Sequence, residues 1–332
     1  MAYTIAFFGT KPYDEASFND KNKEFGFEFR YYKGHLNKNN VLLTQGVDAV
    51  CIFVNDTADA EVINAMAANG VKLLALRCAG FNNVDLNAAA NAGITVVRVP
   101  AYSPYAVAEY TVALMLSLNR KIPRASWRTK DGNFSLHGLM GFDMRGKIAG
   151  IIGTGKIARI LIHILKGFGM NILAYDICRD EAYAREEGFA YTKLEELYAQ
   201  SDIISLHVPL TAETRHMIDE KSIAQMKEHV MIINTSRGQL IHTNALIEGL
   251  KSKKILAAGL DVYEEEENYF YEDKSDIIID DDILARLLSF NNVIVTSHQG
   301  FFTQEAMRNI AETTLQNIQD YLDGKVLTNE VK

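Results

Sequence analysis

One short stretch constrains this chain more than any other. The segment GIIGTGKIA, residues 150–158, stands between an apolar run that reads as a strand (147–152) and an amphipathic run that reads as a helix (156–168). Gly153 permits a tight strand-to-helix turn, and Gly155 has no side chain to keep the backbone away from a pyrophosphate. The phosphates then meet the free N–H groups and positive dipole end of the helix. Ala158 stands at the third glycine position, where the residue only has to let the helix pack closely on the strand. Asp176 closes the next apolar run, 21 positions after Gly155. A carboxylate there accepts hydrogen bonds from a ribose 2′-hydroxyl and repels a 2′-phosphate, so the expected cofactor is NAD(H) rather than NADP.

At 332 residues the chain exceeds what one core usually organises, and its 48% hydrophobic content can fill two. Short apolar runs recur at 4–8, 49–54, 72–76 and 94–99, then at 148–152, 172–175, 203–207, 230–234, 256–261 and 293–296, with helical patterns between them. Strands buried on both faces look like this, and their alternation with helices predicts an α/β protein with two Rossmann-like or flavodoxin-like domains built on parallel sheets. Residues 103–128 read as one long helix, opened by Ser103-Pro104 and carrying the chain between domains. Residues 303–322 read as another helix, crossing back. The expected boundaries are 1–101 plus 300–332 for a substrate domain and 102–299 for an inserted NAD-binding domain.

The net charge of −8 leaves no basic footprint, so neither nucleic acid nor a membrane is expected as partner. The opening MAYTIAFFGT lacks a basic region followed by a cleavable apolar stretch, and no run of 18 apolar residues occurs. A cytoplasmic protein is the expectation. Cys51, Cys78 and Cys178 fall in no metal-like or disulfide-like spacing and read as small buried side chains, and no metal is expected. The acidic clusters 264–267 and 280–282 read by default as solvated surface.

In parallel sheets ligands gather outside the carboxyl ends of the strands. Three polar groups follow strands there: Arg237 in NTSRG, the acids after Asp261, and His298 in TSHQG. Hydride transfer to a keto acid needs a cation for the carboxylate, a proton donor at the carbonyl oxygen, and a group that keeps that donor protonated. Arginine matches a carboxylate bidentately, histidine carries the proton, and a neighbouring carboxylate favours the protonated imidazole.

At these residues the chain resembles the D-isomer-specific 2-hydroxyacid dehydrogenases. The matching segments run nearly end to end: RCAGFNNVDL at 77–86, VPAYSPYAVAEY at 99–110, NFSLHGL at 133–139, GTGKIA at 153–158, SLHVPLT at 205–211, NTSRG at 234–238, GLDVYEEE at 259–266 and TSHQGF at 297–302. The resemblance implies that Arg237 binds the substrate carboxylate and polarises the keto group, that His298 exchanges the proton, and that Glu266 holds His298 cationic. Glu266 is singled out because the family's acid lies five residues after the strand-end aspartate, here Asp261. Glu264, Glu265 and Glu267 keep the surface reading. The backbone N–H groups of Ala79 and Gly80 are implied to receive the other side of the carboxylate, with Tyr102 reaching the substrate. Cofactor contacts are implied for Gly153, Gly155, Lys156, Ile157, Asp176, Val208, Pro209, Thr235, Ser236 and Asp261. Thr214 departs from the asparagine that some members carry near the cofactor.

The expected reaction is reduction of pyruvate by NADH to D-lactate, in a cleft between the domains that closes about hinges near 100–103 and 299–302. A larger 2-keto acid is the alternative substrate. An NADH-sensing protein-binding module is the alternative from outside the enzymes. The resemblance also implies a homodimer or homotetramer, with a small molecule as the other partner.

Overall fold

The computed structural model describes residues 3–332. The chain divides into two compact units, one made by the chain up to Ser103 together with Phe302–Lys332, the other by Pro104–Phe301.

In the first unit β1 (Thr4–Phe7), β2 (Glu28–Tyr31), β3 (Ala49–Ile52), β4 (Leu73–Leu76) and β5 (Thr95–Val97) form one parallel sheet in the order β2-β1-β3-β4-β5. This is the flavodoxin-like order. It is covered by α1 (Pro12–Asn22), α2 (Ala60–Ala68), α3 (Leu86–Ala92) and the C-terminal helix Gln304–Leu322. The inner strands TIAF, AVCI and LLAL are buried at every position, and apart from Thr4 at the start of β1 their sequences are apolar. Strand β2, EFRY, alternates exposed and half-buried side chains at the sheet edge. It is absent from the expected runs because its alternating face meets water.

The second unit opens with α4 (Pro104–Arg120) and α5 (Ile122–Lys130). Then follow β6 (Ile148–Ile152), α6 (Lys156–Gly167), β7 (Asn171–Tyr175), α7 (Glu181–Glu187), β8 (Ala190–Tyr191), α8 (Leu194–Gln200), β9 (Ile203–Leu206), α9 (Glu220–Gln225) and β10 (Val230–Asn234). The rest of the unit is α10 (Thr243–Lys251), β11 (Ile255–Leu260), α11 (Asp282–Leu288) and β12 (Val293–Val295), and the C-terminal helix of the first unit is α12. The seven strands are parallel in the order β12-β11-β10-β9-β6-β7-β8, the Rossmann order with one strand added at the β12 edge. Successive residues feed opposite cores: Ile152, Leu206 and Ile232 join one cluster, Ile151, Ile203 and Ile233 the other. Among the described residues no helix is long and apolar enough to cross a membrane.

The single helix expected over 103–128 is instead two. Lys121 turns left-handed at φ 52°, and Pro123 stands in the first turn of α5, where its ring and missing N–H forbid continuing the hydrogen-bond ladder of α4. Asn119 closes the first helix by exchanging two 2.8 Å hydrogen bonds with the backbone of Phe142.

Candidate active site

The glycine-rich turn follows β6. Gly153 has φ +92°, and a Cβ there would lie 2.7 Å from the His207 carbonyl oxygen, so both conformation and space require glycine. Gly155 is the N-cap of α6, supplies no side-chain cap, and has open space where a Cβ would project. The first-turn N–H groups of α6 therefore face a place that backbone or phosphate oxygens can approach. Lys156 is exposed, Ile157 half-buried, and Ala158 fully buried against the sheet.

Asp176 follows β7 and reaches back to that turn. Its Oδ2 accepts from Thr154 N at 2.6 Å and Thr154 Oγ1 at 2.8 Å, and its Oδ1 accepts from Cys178 N at 2.8 Å. Partial burial opposes ionisation, but these donors outweigh it and hold the carboxyl below its ordinary value. A half-buried carboxylate and an uncapped helix behind two glycines fit a dinucleotide. Thr154, the variable position between the glycines, is the contributor that sequence reasoning passed over. Cys178, expected buried with the other cysteines, is exposed, because it stands beyond the end of β7.

The ends of β9 and β10 are laced together. Ser236 Oγ donates to the Val208 carbonyl at 2.7 Å, and Thr235 Oγ1 lies 3.0 Å from Thr111 Oγ1 on α4. Val208 is half-buried and Pro209 exposed. Thr214 donates to the Pro209 carbonyl at 2.7 Å and accepts from Thr211 N at 2.8 Å, so it closes the 209–214 loop on itself.

Arg237 leaves β10 through a turn held by the fully buried Asn234, whose Nδ2 donates to the Arg237 carbonyl at 2.8 Å and whose Oδ1 accepts from Ser236 N at 3.0 Å. The guanidinium is half-buried and donates from Nη1 to the Ser236 carbonyl at 2.7 Å. Among the described residues no carboxylate comes within ion-pair distance of it. A cation with no internal counter-ion is available to an anionic ligand.

His298 follows β12. Its Nδ1 lies 2.8 Å from Glu266 Oε1, with both side chains about four-fifths buried, at 20% and 21% exposure. Glu266 Oε2 accepts from Tyr263 N at 2.9 Å, which fixes the carboxylate on both oxygens. This leaves His298 Nε2 as the nitrogen without a protein partner among the described residues. The histidine backbone is left-handed, φ 53°, and is held there by its N–H donating to the Asp261 carbonyl at 2.7 Å.

Asp261 is 2% exposed and organises the same turn. Its Oδ1 accepts from Thr296 Oγ1 at 2.7 Å and Gln299 N at 2.9 Å, its Oδ2 from Gly300 N at 2.7 Å. Burial raises its carboxyl above the ordinary value against the lowering effect of those donors and of His298. A Cβ at Gly300 would stand 2.8 Å from Asp261 Oδ2, so only glycine lets the loop close on the carboxylate. The aspartate that the resemblance sets near the nicotinamide thus first shapes the loop carrying His298.

Two surface readings are corrected. Glu264 has only 14% of its side chain exposed and bonds His216 and Thr243. Asp281 caps α11 through Ile283 N and Leu284 N, both at 2.9 Å, and accepts from Tyr263 Oη at 2.6 Å. Both acids lie in runs of like residues, and composition cannot tell which member faces a partner. Glu265 and Glu267 are exposed as expected.

In the first unit Arg77 ends the β4 segment and is 2% exposed. Its Nη2 donates to the Gly9 carbonyl at 3.0 Å, its Nε lies 3.7 Å from Asp14 Oδ1, and its guanidinium stands 5.2 Å over the Phe53 ring. The next residues form the loop Cys78-Ala79-Gly80, where the Ala79 carbonyl accepts from Arg98 Nη1 at 2.8 Å. The N–H groups of Ala79 and Gly80 have no acceptor among the described residues. The Tyr102 carbonyl accepts from Asn309 Nδ2 on α12 at 2.7 Å.

Comparison with known proteins bears on this arrangement. Residues 112–300 match the family described as D-isomer specific 2-hydroxyacid dehydrogenase, NAD binding domain. The chain is 50% identical over 327 residues to a D-lactate dehydrogenase of Escherichia coli strain K12, covering 98% of this chain and 99% of that one. Among solved structures, the apo form of D-lactate dehydrogenase from Escherichia coli superposes with a TM-score of 0.91 at 48% identity, covering 99% of this chain and all of the other. A structure described as the pyruvate reductase of Chlamydomonas reinhardtii superposes with a TM-score of 0.94 at 43% identity, covering 99% and 98%. With a match over more than half its length and relatives of this identity over nearly all of it, the chain belongs to the D-isomer-specific 2-hydroxyacid dehydrogenases, a family of NAD-dependent enzymes.

Proposed function

We propose that this enzyme reduces pyruvate to D-lactate with NADH, and oxidises D-lactate in the reverse direction. The observation that carries the reading is the Glu266–His298 pair. One imidazole nitrogen is bound to a fixed carboxylate, the other is left for a ligand, and Arg237 has no counter-ion among the described residues. The names borne by the relatives, D-lactate dehydrogenase and pyruvate reductase, support pyruvate as the keto acid.

Each residue then has one task. Arg237 pairs its guanidinium with the substrate carboxylate and polarises the keto group. The N–H groups of Ala79 and Gly80 donate to the same carboxylate, and Tyr102 contacts the substrate. His298 gives its Nε2 proton to the carbonyl oxygen as the carbonyl carbon becomes C–H, and in lactate oxidation it takes that proton back. Glu266 stabilises the imidazolium before transfer and fixes the ring orientation throughout. Bound NADH supplies the hydride. Gly153, Gly155, Lys156 and Ile157 hold its phosphates, Asp176 the adenosine ribose, Val208 and Pro209 the adenosine side, and Thr235, Ser236 and Asp261 the nicotinamide side. The proton and charge requirements are met by side chains.

A cytoplasmic homodimer or homotetramer completes the reading. Ile122, Trp127, Phe134, Leu136 and Met140 are exposed within one short stretch, more apolar surface than scattered single residues present.

The test is loss of NADH absorbance with pyruvate, with the chirality of the lactate determined on the same sample. Turnover to D-lactate supports the assignment. Faster turnover of branched or aromatic 2-keto acids would move it to a larger substrate, and NADH binding without turnover of any 2-keto acid would overturn it in favour of a binding module.

A further inference from the structure

Glu264 stands two residues before Glu266 and takes no part in the chemistry above, yet it is the better anchored of the two. Its Oε1 lies 2.5 Å from His216 Nε2, while its Oε2 accepts from Thr243 Oγ1 at 2.7 Å and Thr243 N at 3.1 Å. Thr243 is the first residue of α10, whose N-cap, His242, offers no side-chain cap. A carboxylate from another loop therefore takes the capping position at the positive end of that helix. Burial opposes ionisation of Glu264, and Thr243 and His216 reverse the balance, so its carboxyl sits below the ordinary value.

His216 is tied to the segment that follows Arg237. Its own N–H donates to the Gln239 carbonyl at 2.8 Å, Ile218 N donates to the Leu240 carbonyl at 3.0 Å, and His242 N donates to the Ile218 carbonyl at 2.8 Å. It holds a left-handed backbone, φ 53°, that histidine adopts at a cost. The contact is closed from the other side by Gly238. A Cβ on that residue would overlap the Tyr263 carbonyl and press on Glu264 N, so the turn after Arg237 lies flat on the peptide between Tyr263 and Glu264. Tyr263 N is in turn the donor to Glu266 Oε2.

We propose that Glu264 and His216 are positioning residues that lock the Arg237 turn to the Glu266 loop, so that the substrate cation and the carboxylate behind the proton donor hold one fixed spacing. The His216 side spans residues 239–242, just beyond Arg237, and the Glu264 side spans 263–266. The Glu264–His216 contact, the two Thr243 hydrogen bonds to Glu264 and the bare Gly238 contact are the fasteners between them. The His242 ring is 5.0 Å from His216 and bonds Glu220 through Nδ1 at 3.1 Å, and Glu265 is exposed.

The inference rests on the dehydrogenase reaction assigned above, so wild-type turnover is measured first, and its absence would count against that assignment rather than against the joint. With turnover established, Glu264→Ala and His216→Ala are each compared with wild type in kcat and KM for pyruvate, NADH affinity by fluorescence, and thermal midpoint. Active sites are counted by NADH binding. Glu264→Ala is expected to lower kcat/KM for pyruvate about 10–100-fold, the scale of a misplacement near 1 Å, with NADH affinity unchanged. Glu264→Gln, which keeps an oxygen for Thr243 and an amide for His216, should recover most of it.

A double-mutant cycle sharpens the test. In a Glu266→Gln background the Glu264→Ala penalty should shrink to within about threefold, because the group it positions is already disabled. A lowered thermal midpoint with unchanged kcat/KM per active site, or a full penalty persisting in the Glu266→Gln background, would overturn the proposal. If Glu264→Ala does not fold, His216→Ala decides it, since its ring is a third exposed and its removal leaves the Thr243 cap in place. An unaltered kcat/KM in His216→Ala would overturn the proposal equally.

Discussion

The carboxyl ends of the strands in the two units are built to opposite specifications. In the second unit they display ionisable side chains: Asp176 after β7, Arg237 after β10, Glu266 beyond β11 and His298 after β12, each oriented by side-chain or turn hydrogen bonds. In the first unit the end of β4 displays bare backbone at Ala79 and Gly80, and its one charge, Arg77, is buried beside Asp14. Both sheets are parallel with helices packed against them, so the difference is not one of fold class. It teaches that a strand end can offer donors to an anion, as proposed for this site, in two ways. A side-chain cation brings charge and can also take part in chemistry, whereas main-chain N–H groups bring fixed geometry and need a rigid support beneath them.

The comparison breaks most easily at His298. His298→Gln should lower kcat for pyruvate reduction about 10²–10⁴-fold with NADH binding retained, and a near-normal rate would move the proton to another group. In the first unit the expected damage is to stability. Arg77→Met leaves the buried Asp14 without its cation, which should cost about 3 kcal/mol in denaturant unfolding. A loss of activity without loss of stability would instead make Arg77 a functional charge and erase the contrast.

Arg237→Lys replaces a bidentate fork by a point charge. The loss of one charge-assisted hydrogen bond should reduce kcat/KM for pyruvate about 10–100-fold, leaving NADH affinity intact. Unchanged efficiency would remove Arg237 from the carboxylate. Asp176→Ala should shift preference toward NADPH by about tenfold, the worth of one hydrogen bond to a charged acceptor. No relative gain for NADPH would mean that Asp176 does not read the ribose.

The smallest effect concerns pH. His207, after β9, is held near 4 by burial, well below its ordinary value, and pairs with Ser205 Oγ at 2.8 Å. Its folded pKa lies below the unfolded one, so the native state binds fewer protons between the two. The stability it contributes is complete above about 6.5 and is lost as pH falls from there toward 4. The residue keeps some solvent access, which makes the slope shallow. The thermal midpoint measured across that window should decline less steeply in His207→Gln, and identical slopes would show that another group sets the acid limit.

How much of the fold is legible in the sequence follows burial. The strands of both sheets that are covered on two faces are mostly apolar runs, and they stand out because a polar side chain is tolerated there only where it finds a hydrogen-bond partner, as Asn234 does at the end of β10. The two-residue β8 and the edge strand β2 do not, since one is too short to carry a period and the other alternates with water. Gly153 and Gly155 are readable because their lack of a side chain is itself the signal. Thr154 is not, because its value lies in a bond to Asp176 across a neighbouring strand.

The four consecutive glutamates show where the boundary falls. The sequence by itself determined that a parallel α/β chain carries a dinucleotide turn with an acid 21 positions on, and that an arginine, an acid and a histidine each follow a strand. Those statements depend on local periodicity, on glycine conformations and on spacing along one chain. The family spacing from Asp261 pointed to Glu266 as the partner of His298 and left Glu265 and Glu267 to water, as they are found, but only the tertiary structure decided that Glu264 leaves the surface for His216 and Thr243. Identical side chains have identical propensities. What separates them is which group the fold brings up from a distant part of the chain, 32 residues away for His298 and 48 for His216.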